Sequence, residues 1–287
     1  MCAMSPRLLR PLATVHPEAA AWQAAVVANS GSVSGTTLRA VSQFCRDIEA
    51  AGIRSKFRRL NLMAGTGLNA ALVPLYRGES RTGTQYGNTV DQSLGSPSFG
   101  EGDYSEAAGL QGNGSSKYIN TGFNVDDIPA ASSCHLSAYI RGTQSVSGPM
   151  GVIGAIFNGV NDRYRIAFNT STAGNFTTNS ELGKATQVVA VRANTDDGLY
   201  TLSRTSTTSL THYHDASSFG SNTASTAEET GAFPFYVFCR NSTTNTPVEF
   251  YNGVMAGYSI GAGLTPADVS AYYTALQAFQ TALGRNV

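Results

Sequence analysis

The sequence predicts a mostly-β protein, an antiparallel β-sandwich or jelly roll with two N-terminal helices and one C-terminal helix. From Leu72 onward, apolar residues recur with a period of two or in short runs between turn residues. Two stretches before Leu72 and one at residues 266–283 have helical spacing instead. Short strands that follow one another about every ten residues are typical of sandwiches and jelly rolls.

The composition fits one large β domain with a small N-terminal segment. Of the 287 residues, 41% are apolar and only 13% are charged, whereas an average globular domain has about 25% charged residues. Glycine, serine, threonine and asparagine replace them, as expected where many strands meet at tight turns. We predict an extended arm over residues 1–15, a helical anchoring segment over 16–64, and a β-sandwich domain over 65–287.

The elements before the β body are the arm and two helices. Prolines interrupt any helix within the arm. The first helix is predicted over residues 17–31, because Pro17 is a favoured residue in a first helical turn. The second is predicted over residues 36–51, where apolar residues at three- and four-residue spacing indicate a core face.

Ten strands are predicted in the β body. In residues 163–168 polar and apolar residues alternate, as a strand with one solvated face requires. The Asp-Asp-Gly run at residues 196–198 predicts a hairpin turn between its two neighbouring strands. The predicted strands are 71–76, 117–123, 135–142, 150–157, 163–170, 187–193, 198–205, 209–214, 233–240 and 249–260.

The last predicted element is a capped helix that closes the sandwich. Thr265 is its N-cap, Pro266 takes the first helical position, and Asp268 follows three residues after the cap. Gly284 provides a stop. Because tyrosine, leucine and phenylalanine share one face of this helix, we expect that face to pack on the sandwich.

Basic residues concentrate in the N-terminal part of a chain whose net charge is zero. Residues 1–63 hold eight lysines and arginines against three acidic residues, a charge of +5. This asymmetry suggests docking on an acidic partner surface, but a solvated helix face is the favoured interpretation. No nucleic-acid-binding motif accompanies the charge, so no specific nucleic acid is expected. The candidate docking residues are Arg7, Arg10, Arg54, Arg58 and Arg59.

Four widely separated cysteines form no Cys-x-x-Cys pair, so neither a zinc knuckle nor a redox motif is predicted. We expect free and mostly buried thiols. No apolar run approaches the roughly 20 residues of a membrane helix, and residues 1–15 lack the apolar region of a signal peptide. Neither membrane insertion nor Sec-type export is therefore expected.

Glu101, Asp103 and Glu106 fit the pattern Glu-x-Asp-x-x-Glu. Sandwich glycoside hydrolases use this pattern on a strand, with one carboxylate as nucleophile and another as acid. Here glycines flank Glu101, and the hydrophobic residues that would fix the carboxylates on a strand are missing. Hydrolysis is therefore the least favoured function.

Two other patterns suggest metal ligands, but no metal or cofactor site is predicted. His212 and His214 would lie on one face of a strand, but no third ligand follows by spacing. The acidic pairs 126–127 and 196–197 could contribute to calcium sites, although plain turns are expected there. No catalytic residue is predicted either.

Three segments in the right order resemble a known family. Residues 102–122, GDYSEAAGLQGNGSSKYINTG, are similar to a segment of tailed-bacteriophage virion proteins that carry a laminin-G-like, concanavalin-A-like jelly roll. Residues 16–27 and 60–75 resemble the helical entry of these proteins, and residues 258–285 resemble their ends. The resemblance covers residues 16–287. It implies a concanavalin-A-like sandwich without catalytic residues.

The resemblance implies a non-enzymatic structural protein of a virion that is assembled in the bacterial host cytoplasm. We expect a capsid decoration or cement protein on the particle surface, because the chain has no β-helix repeats or heptads to build a long shaft. Its expected partners are the major capsid protein or tail proteins and other copies of itself, with a trimer favoured. A tail or head-fibre adhesin for host glycans is the alternative, and a polysaccharide-cleaving hydrolase is the third possibility.

Overall fold

Two stacked β-sheets form the body of the protein, with nine strands in each. The computed structural model describes residues 14–78, 87–142, 148–157, 162–170, 175–184, 187–193, 195–225 and 231–287. Within these residues the strands pair antiparallel, apart from a parallel bridge between Asn241 and Ala155. The predicted fold class is confirmed, including the two N-terminal helices and the C-terminal helix.

Helices flank the strands at both ends of the described chain. The helices are α1 (Pro17–Ala28), α2 (Gly35–Ala50), α3 (Leu68–Ala71) and α4 (Pro266–Ala282). The strands of sheet one are β1 (Phe57–Asn61), β2 (Tyr76–Arg77), β4 (Tyr104–Ser105), β5 (Gly109–Gln111), β7 (Cys134–Arg141), β12 (Gly198–Ser206), β13 (Ser209–His214), β14 (Ser217–Asn222) and β18 (Val254–Gly261). The strands of sheet two are β3 (Gln92–Leu94), β6 (Tyr118–Asn124), β8 (Met150–Phe157), β9 (Asp162–Thr170), β10 (Asn175–Lys184), β11 (Gln187–Ala193), β15 (Pro234–Val237), β16 (Arg240–Asn241) and β17 (Pro247–Val248).

Strands that are distant in sequence are neighbours in both sheets. Sheet one has the order β14-β13-β12-β7-β18-β1-β2, and β5 and β4 extend from β18. Sheet two has the order β11-β10-β9-β8-β15-β6-β3, and β16 and β17 lie beside β8. The chain therefore passes repeatedly from one sheet to the other, as in a jelly roll.

The helices, sheet one and sheet two form three layers, and a buried apolar cluster lies between each neighbouring pair. The first lies between the sheets, where Ile166 of β9 and Leu136 of β7 belong to one buried cluster. The second lies between sheet one and the helices, where Trp22, Phe44 and Phe279 are buried against strand residues. Sheet one is therefore covered on both faces, whereas the outer face of sheet two carries none of the three long helices.

Side-chain caps determine where the helices begin. The hydroxyl of Thr265 accepts a hydrogen bond from the Asp268 amide at 3.2 Å, and the Asp268 carboxylate accepts one from the Thr265 amide at 2.9 Å. This reciprocal pair confirms the predicted cap of α4. Helix α2 begins after Ser34, whose hydroxyl accepts a hydrogen bond from the Thr37 amide. Among the described helices, none is long and apolar enough to cross a membrane.

The predicted strand over residues 71–76 is wrong except at its last residue. Residues Leu68–Ala71 form the short helix α3, and only Tyr76 enters a strand. Gly67 precedes the helix with a φ of 83°, a conformation that favours glycine. The Glu101 carboxylate then accepts a hydrogen bond from the Leu68 amide at 3.0 Å and stabilises the helical turn.

The hairpin predicted at residues 196–198 is also wrong, because the two flanking strands belong to different sheets. Strand β11 pairs with β10 in sheet two, whereas β12 pairs with β7 and β13 in sheet one. Asp215 helps to hold β12 in sheet one, since its carboxylate accepts a hydrogen bond from the Leu199 amide at 2.9 Å. This turn therefore connects the two sheets.

Strand β10 has no counterpart among the predicted strands. Its sequence is mostly polar, with Phe176 and Leu182 as its large apolar residues. It nevertheless pairs along most of its length with β9 on one side and β11 on the other. Pairing on both edges therefore compensates for a weak local signal.

The segment over residues 16–64 contributes a strand to the sandwich as well as two helices. Strand β1 lies inside sheet one, between β18 and β2. The division into arm, anchoring segment and sandwich stays a prediction. Residues 1–13 of the arm lie outside the described residues.

Three cysteines lie within the described residues. Cys45, Cys134 and Cys239 are free and buried, as predicted. Burial raises the pKa of the Cys134 thiol to about 12. Cys2 lies outside the described residues.

Candidate functional site

A hollow of about 390 Å³ opens on the outer face of sheet two. Its volume falls within the range of roughly 300–1,000 Å³ that small-molecule sites occupy. We refer to it as the outer-face hollow. It is lined by Ile156, Arg163, Arg240, Ser242, Thr243, Val248 and Glu249.

The strand alternation of β9 directs two arginines to this face. Tyr164, Ile166 and Phe168 point into the core between the sheets, so Arg163 and Arg165 point outward. This confirms the alternation predicted for residues 163–168. The neighbouring strand β8 places Gly154 opposite Arg165.

Gly154 provides space for the side chain of Arg165. A Cβ atom at Gly154 would lie 2.6 Å from the Cβ of Arg165 and 2.8 Å from the carbonyl oxygen of Tyr164. Both distances are shorter than real contacts, so a larger residue would displace the arginine. The glycine therefore allows Arg165 to reach Glu249 beside the hollow.

Five charged side chains form a connected network at the hollow. Arg165 contacts Glu181 at 2.7 Å and Glu249 at 3.3 Å. Arg240 donates two hydrogen bonds to Glu249, at 2.5 and 2.8 Å. Arg163 reaches Glu181 only at 3.4 Å. Among the described side chains of this network, three cations thus face two carboxylates, so one positive charge is in excess.

The excess charge lies at the edge of the network. Arg165 and Glu181 are nearly buried, with side chains 6% and 8% exposed, whereas Arg163 is 26% exposed. The Nε atom of Arg163 is buried and has no hydrogen-bond partner within the described residues. The exposed part of this side chain can therefore offer a positive charge, but not the Nε donor, to a ligand in the hollow.

Hydroxyl and apolar groups complete the lining of the hollow. Ser242 and Thr243 come from the turn between β16 and β17, whereas Ile156 and Val248 supply apolar surface. Mixed linings of this kind, with a few polar groups on an apolar wall, are typical of sites for small polar ligands.

Aromatic rings lie on the same face of sheet two. The ring centroids of Tyr118 and Tyr236 are 4.9 Å apart, and that of Phe250 is 6.3 Å from Tyr118. Tyr236 stands beside Gly154 in the register of β15 and β8. It is nearly buried, and this burial raises its pKa to about 12. Tyr118 and Phe250 are half-buried residues.

The predicted docking arginines do not form one surface patch. Arg59 is fully buried and binds Asp91 at 2.5 Å, so its charge is unavailable to a partner. Arg54 binds Glu18 at 2.6 Å, and its guanidinium carbon lies 3.7 Å from the centre of the Tyr76 ring. Arg58 is half-buried, and Arg7 and Arg10 lie outside the described residues.

The three carboxylates of the hydrolase-like pattern bind groups of the fold itself. Glu106 accepts hydrogen bonds from the Thr37 hydroxyl at 2.8 Å and from the Gly65 amide at 2.7 Å. Asp103 binds the Lys117 ammonium at 2.5 Å. Glu101 caps α3 as described above. The pattern therefore does not place these carboxylates along one strand.

His212 and His214 have different surroundings. His212 is fully buried, and neither ring nitrogen has a hydrogen-bond partner within the described residues. His214 contacts Arg192 at 2.6 Å and the carbonyl oxygen of Asp197 at 2.9 Å. His214 is therefore held by groups of the fold itself, and among the described residues the two rings have no metal ligand set in common.

The acidic pairs weighed as calcium ligands take part in turns. Asp127 accepts a hydrogen bond from the Asn124 amide at 2.9 Å, and Asp197 accepts one from the Gly142 amide at 2.6 Å. Asp196 contacts Arg192 at 3.0 Å. These contacts agree with the plain turns expected from the sequence.

No family model matches the chain, and no curated protein matches it. Solved structures that resemble it include the binding domain of botulinum neurotoxin serotype D (TM-score 0.47, 11% identity, 77% of this chain and 52% of that chain). A mutant of Trypanosoma rangeli sialidase that displays trans-sialidase activity has a TM-score of 0.48 and 10% identity over 87% of this chain and 40% of its own. The NanB sialidase from Streptococcus pneumoniae has a TM-score of 0.42 and 13% identity over 57% and 27%.

The chain therefore spans about half or less of the length of the solved chains it matches. Similarity at this level carries no information on which ligand the chain binds or which reaction, if any, it performs.

The residues of the outer-face hollow are absent from the sites predicted from the sequence. Among them, Arg163 has the clearest sequence signal of an outward-facing position, because it begins the run of alternating polar and apolar residues in β9. Arg240 and Glu249 lie nine positions apart, and only the pairing of β16 with β17 brings them together.

Proposed function

We propose that this chain is a non-catalytic binding module whose outer-face hollow takes an acidic carbohydrate. The observation that supports this proposal is the excess positive charge at Arg163, at the edge of an open hollow with hydroxyl and apolar walls. A sugar carboxylate or sulfate would pair with the guanidinium. Sugar hydroxyls would exchange hydrogen bonds with Ser242 and Thr243.

The arrangement of the helices and sheets also favours the outer face of sheet two as the ligand-binding face. The helices α1, α2 and α4 pack on the outer face of sheet one over strand residues such as Leu60 and Tyr139, so this part of the face is closed to an extended ligand. The outer face of sheet two carries the hollow and, beside it, the half-buried rings of Tyr118 and Phe250. Aromatic rings next to polar groups suit the alternating apolar and polar faces of sugars.

A glycan array tests this proposal with a pair of matched variants. Thr243→Trp places a large ring in the hollow, whereas Thr274→Trp adds the same ring at an exposed position of α4, away from the lining. We expect the wild type and Thr274→Trp to bind acidic glycans and Thr243→Trp to lose at least about tenfold in affinity. A wild-type signal no higher than background on all glycans would overturn the proposal.

We further propose that the module belongs to a bacteriophage particle. The similarity of residues 16–27, 60–75, 102–122 and 258–285 to tailed-phage virion proteins supports this location. A particle protein with a glycan hollow would act as a tail or head-fibre adhesin. A capsid decoration or cement protein, favoured at first from the sequence, is the second candidate, and in that role the sandwich would serve as a symmetric surface subunit.

Immunogold labelling of intact virions with an antibody to the sandwich distinguishes the two roles. Label on the tail or on fibres agrees with the adhesin. Label spread over the head agrees with decoration, and absence of label from purified particles contradicts both.

A further inference from the structure

A second group of ligand-type side chains lies where the start of α1 meets α2, on the helical side of the protein. His16, Glu18 and Cys45 each offer one ligand atom, and these three atoms lie within 4.8 Å of one another. His16 is the N-cap of α1, Glu18 is in its first turn, and Cys45 is a buried residue of α2. The two helices thus bring together an imidazole, a carboxylate and a thiol.

We propose that His16, Glu18 and Cys45 bind a divalent transition-metal ion, and that zinc fits these donors best. Zinc binds nitrogen, oxygen and sulfur ligands at about 2.0–2.3 Å, usually with four ligands in a tetrahedron. Such ligand atoms are about 3.5 Å apart in a tetrahedral site, so atoms that now lie within 4.8 Å of one another need to approach by at most about 1.3 Å. A water molecule would supply the fourth ligand.

The hydrogen bonds of His16 select the nitrogen that would bind the ion. Nδ1 accepts a hydrogen bond from the Glu18 amide at 3.2 Å, so Nδ1 carries a lone pair on the side of Glu18. Nε2 lies 3.1 Å from the Glu49 carboxylate and donates to it. A metal at Nδ1 would replace the amide contact. It would leave Glu49 holding the other ring nitrogen, an arrangement common among metal-binding histidines.

The site is accessible and electrostatically balanced. A hollow of about 410 Å³ is lined by His16, Glu18, Glu49 and Arg54 together with Pro17, so an ion can enter from solvent. Arg54 binds one Glu18 oxygen at 2.6 Å and leaves the other for the ion. A thiolate and a carboxylate would neutralise the two positive charges of zinc.

Cys45 must lose its proton to bind the ion. Burial raises the pKa of its thiol to about 11, and the charged or titratable groups that face it are Tyr76, Glu18, Arg54 and Arg46. The proton passes to solvent as the metal–sulfur bond forms, so each bound ion displaces one thiol proton. The inference does not depend on the carbohydrate site, which lies on the other sheet.

Cobalt binding to the full chain tests the proposal, because a thiolate ligand gives Co²⁺ a charge-transfer absorption in the near ultraviolet. We expect this band with one equivalent of Co²⁺ and its loss on addition of Zn²⁺. Cys45→Ser should abolish the band, whereas Cys239→Ser, which changes a buried cysteine of the sandwich, should keep it.

Two variants separate metal binding from folding. His16→Asn keeps an N-cap residue at α1 but removes the nitrogen ligand, so the band should be lost in a folded protein. Glu49→Gln should weaken Co²⁺ binding by about 10- to 100-fold, since it alters the group that orients the imidazole. A wild type without the band, or a band that persists in both Cys45→Ser and His16→Asn, would overturn the proposal.

Discussion

Arg163 lies 3.4 Å from both carboxylate oxygens of Glu181, across β9 and β10, whereas Arg165 binds the same carboxylate at 2.7 Å. The contact between Arg165 and Glu181 is both shorter and more buried than the contact between Arg163 and Glu181. Glu181 is therefore mainly the partner of Arg165. Glu249 is likewise shared between Arg165 and Arg240. Arg163 is therefore the cation of this network with the weakest partner, and it stands at the rim of the outer-face hollow.

The two arginines of β9 should differ in their effect on stability. Arg163→Gln should change the free energy of unfolding by less than about 1 kcal/mol, because Arg163 is partly exposed and its contact with Glu181 at 3.4 Å is loose. Arg165→Gln should cost about 3 kcal/mol or more, because two partly buried carboxylates lose their shared partner. Urea unfolding of both variants measures the difference. Equal losses would mean that Arg163 is a structural residue.

Asp91→Asn should strongly destabilise the protein. Asp91 accepts hydrogen bonds from Arg59, Asn61 and Tyr258, all of them buried. Removing its charge leaves the buried guanidinium of Arg59 without a counterion, at a cost of about 3–5 kcal/mol. Urea unfolding checks this value, with Asp47→Asn, which changes an exposed contact to Gln43, as the control. A loss below about 1 kcal/mol in Asp91→Asn would contradict the burial of the pair.

His212 should make the protein less stable in mild acid. Burial, and then the charges of His214 and Arg192, lower its pKa from 6.5 to about 3. Because the folded value is below the unfolded value, the unfolded chain takes up a proton first, and stability falls as the pH drops below about 6.5. Between pH 7 and pH 5 this single group costs about 2 kcal/mol.

His212→Phe isolates the contribution of this histidine. The ring would remain among Tyr200 and Phe219, and no described hydrogen bond would be lost. The loss of unfolding free energy between pH 7 and pH 5 should shrink by about 2 kcal/mol relative to the wild type. Unfolding curves at the two pH values measure it, and an unchanged loss would show that His212 is protonated in the folded state.

Glu106→Gln should lower the free energy of unfolding. Its carboxylate accepts from the Gly65 amide and the Thr37 hydroxyl, which tie the entry to α3 and the start of α2 to the sandwich. Both bonds end on one oxygen, and an amide oxygen in its place accepts them without the negative charge that strengthens them, so we expect a loss of about 1–3 kcal/mol in thermal or urea unfolding. We expect no glycosidase activity in the wild type. Hydrolysis that disappears in a fully folded Glu106→Gln would revive the hydrolase alternative.

Local patterns predicted the parts of the fold that depend on neighbouring residues. The cap of α4 involves Thr265 and Asp268, three positions apart, and the alternation of residues 163–168 is a property of one strand. Both could be predicted because their causes lie within a few residues. Strand β10 and the crossing at residues 196–198 could not, because pairing with distant strands determines them.

The residues of the candidate sites are brought together almost entirely by contacts between segments that are far apart in the sequence. Arg59 belongs to a basic stretch for which the sequence predicts an exposed position. It is buried because it binds Asp91, which lies 32 positions later in the chain. His16 and Cys45 are on separate helices, so their spacing matches no familiar metal motif. The residues that line the hollow come from β8, from β9 and from the turn between β16 and β17. Only the strand order of sheet two brings these segments together.

The most direct test of the carbohydrate site is affinity electrophoresis through gels that contain alginate or polysialic acid, with dextran as the neutral reference. We expect both acidic polymers, but not dextran, to retard the wild type. Arg163→Gln should lose most of this retardation, whereas Arg39→Gln, an exposed change on α2, should keep it. Equal retardation of the wild type by dextran and the acidic polymers, or undiminished retardation of Arg163→Gln, would contradict an acidic-carbohydrate site in the outer-face hollow.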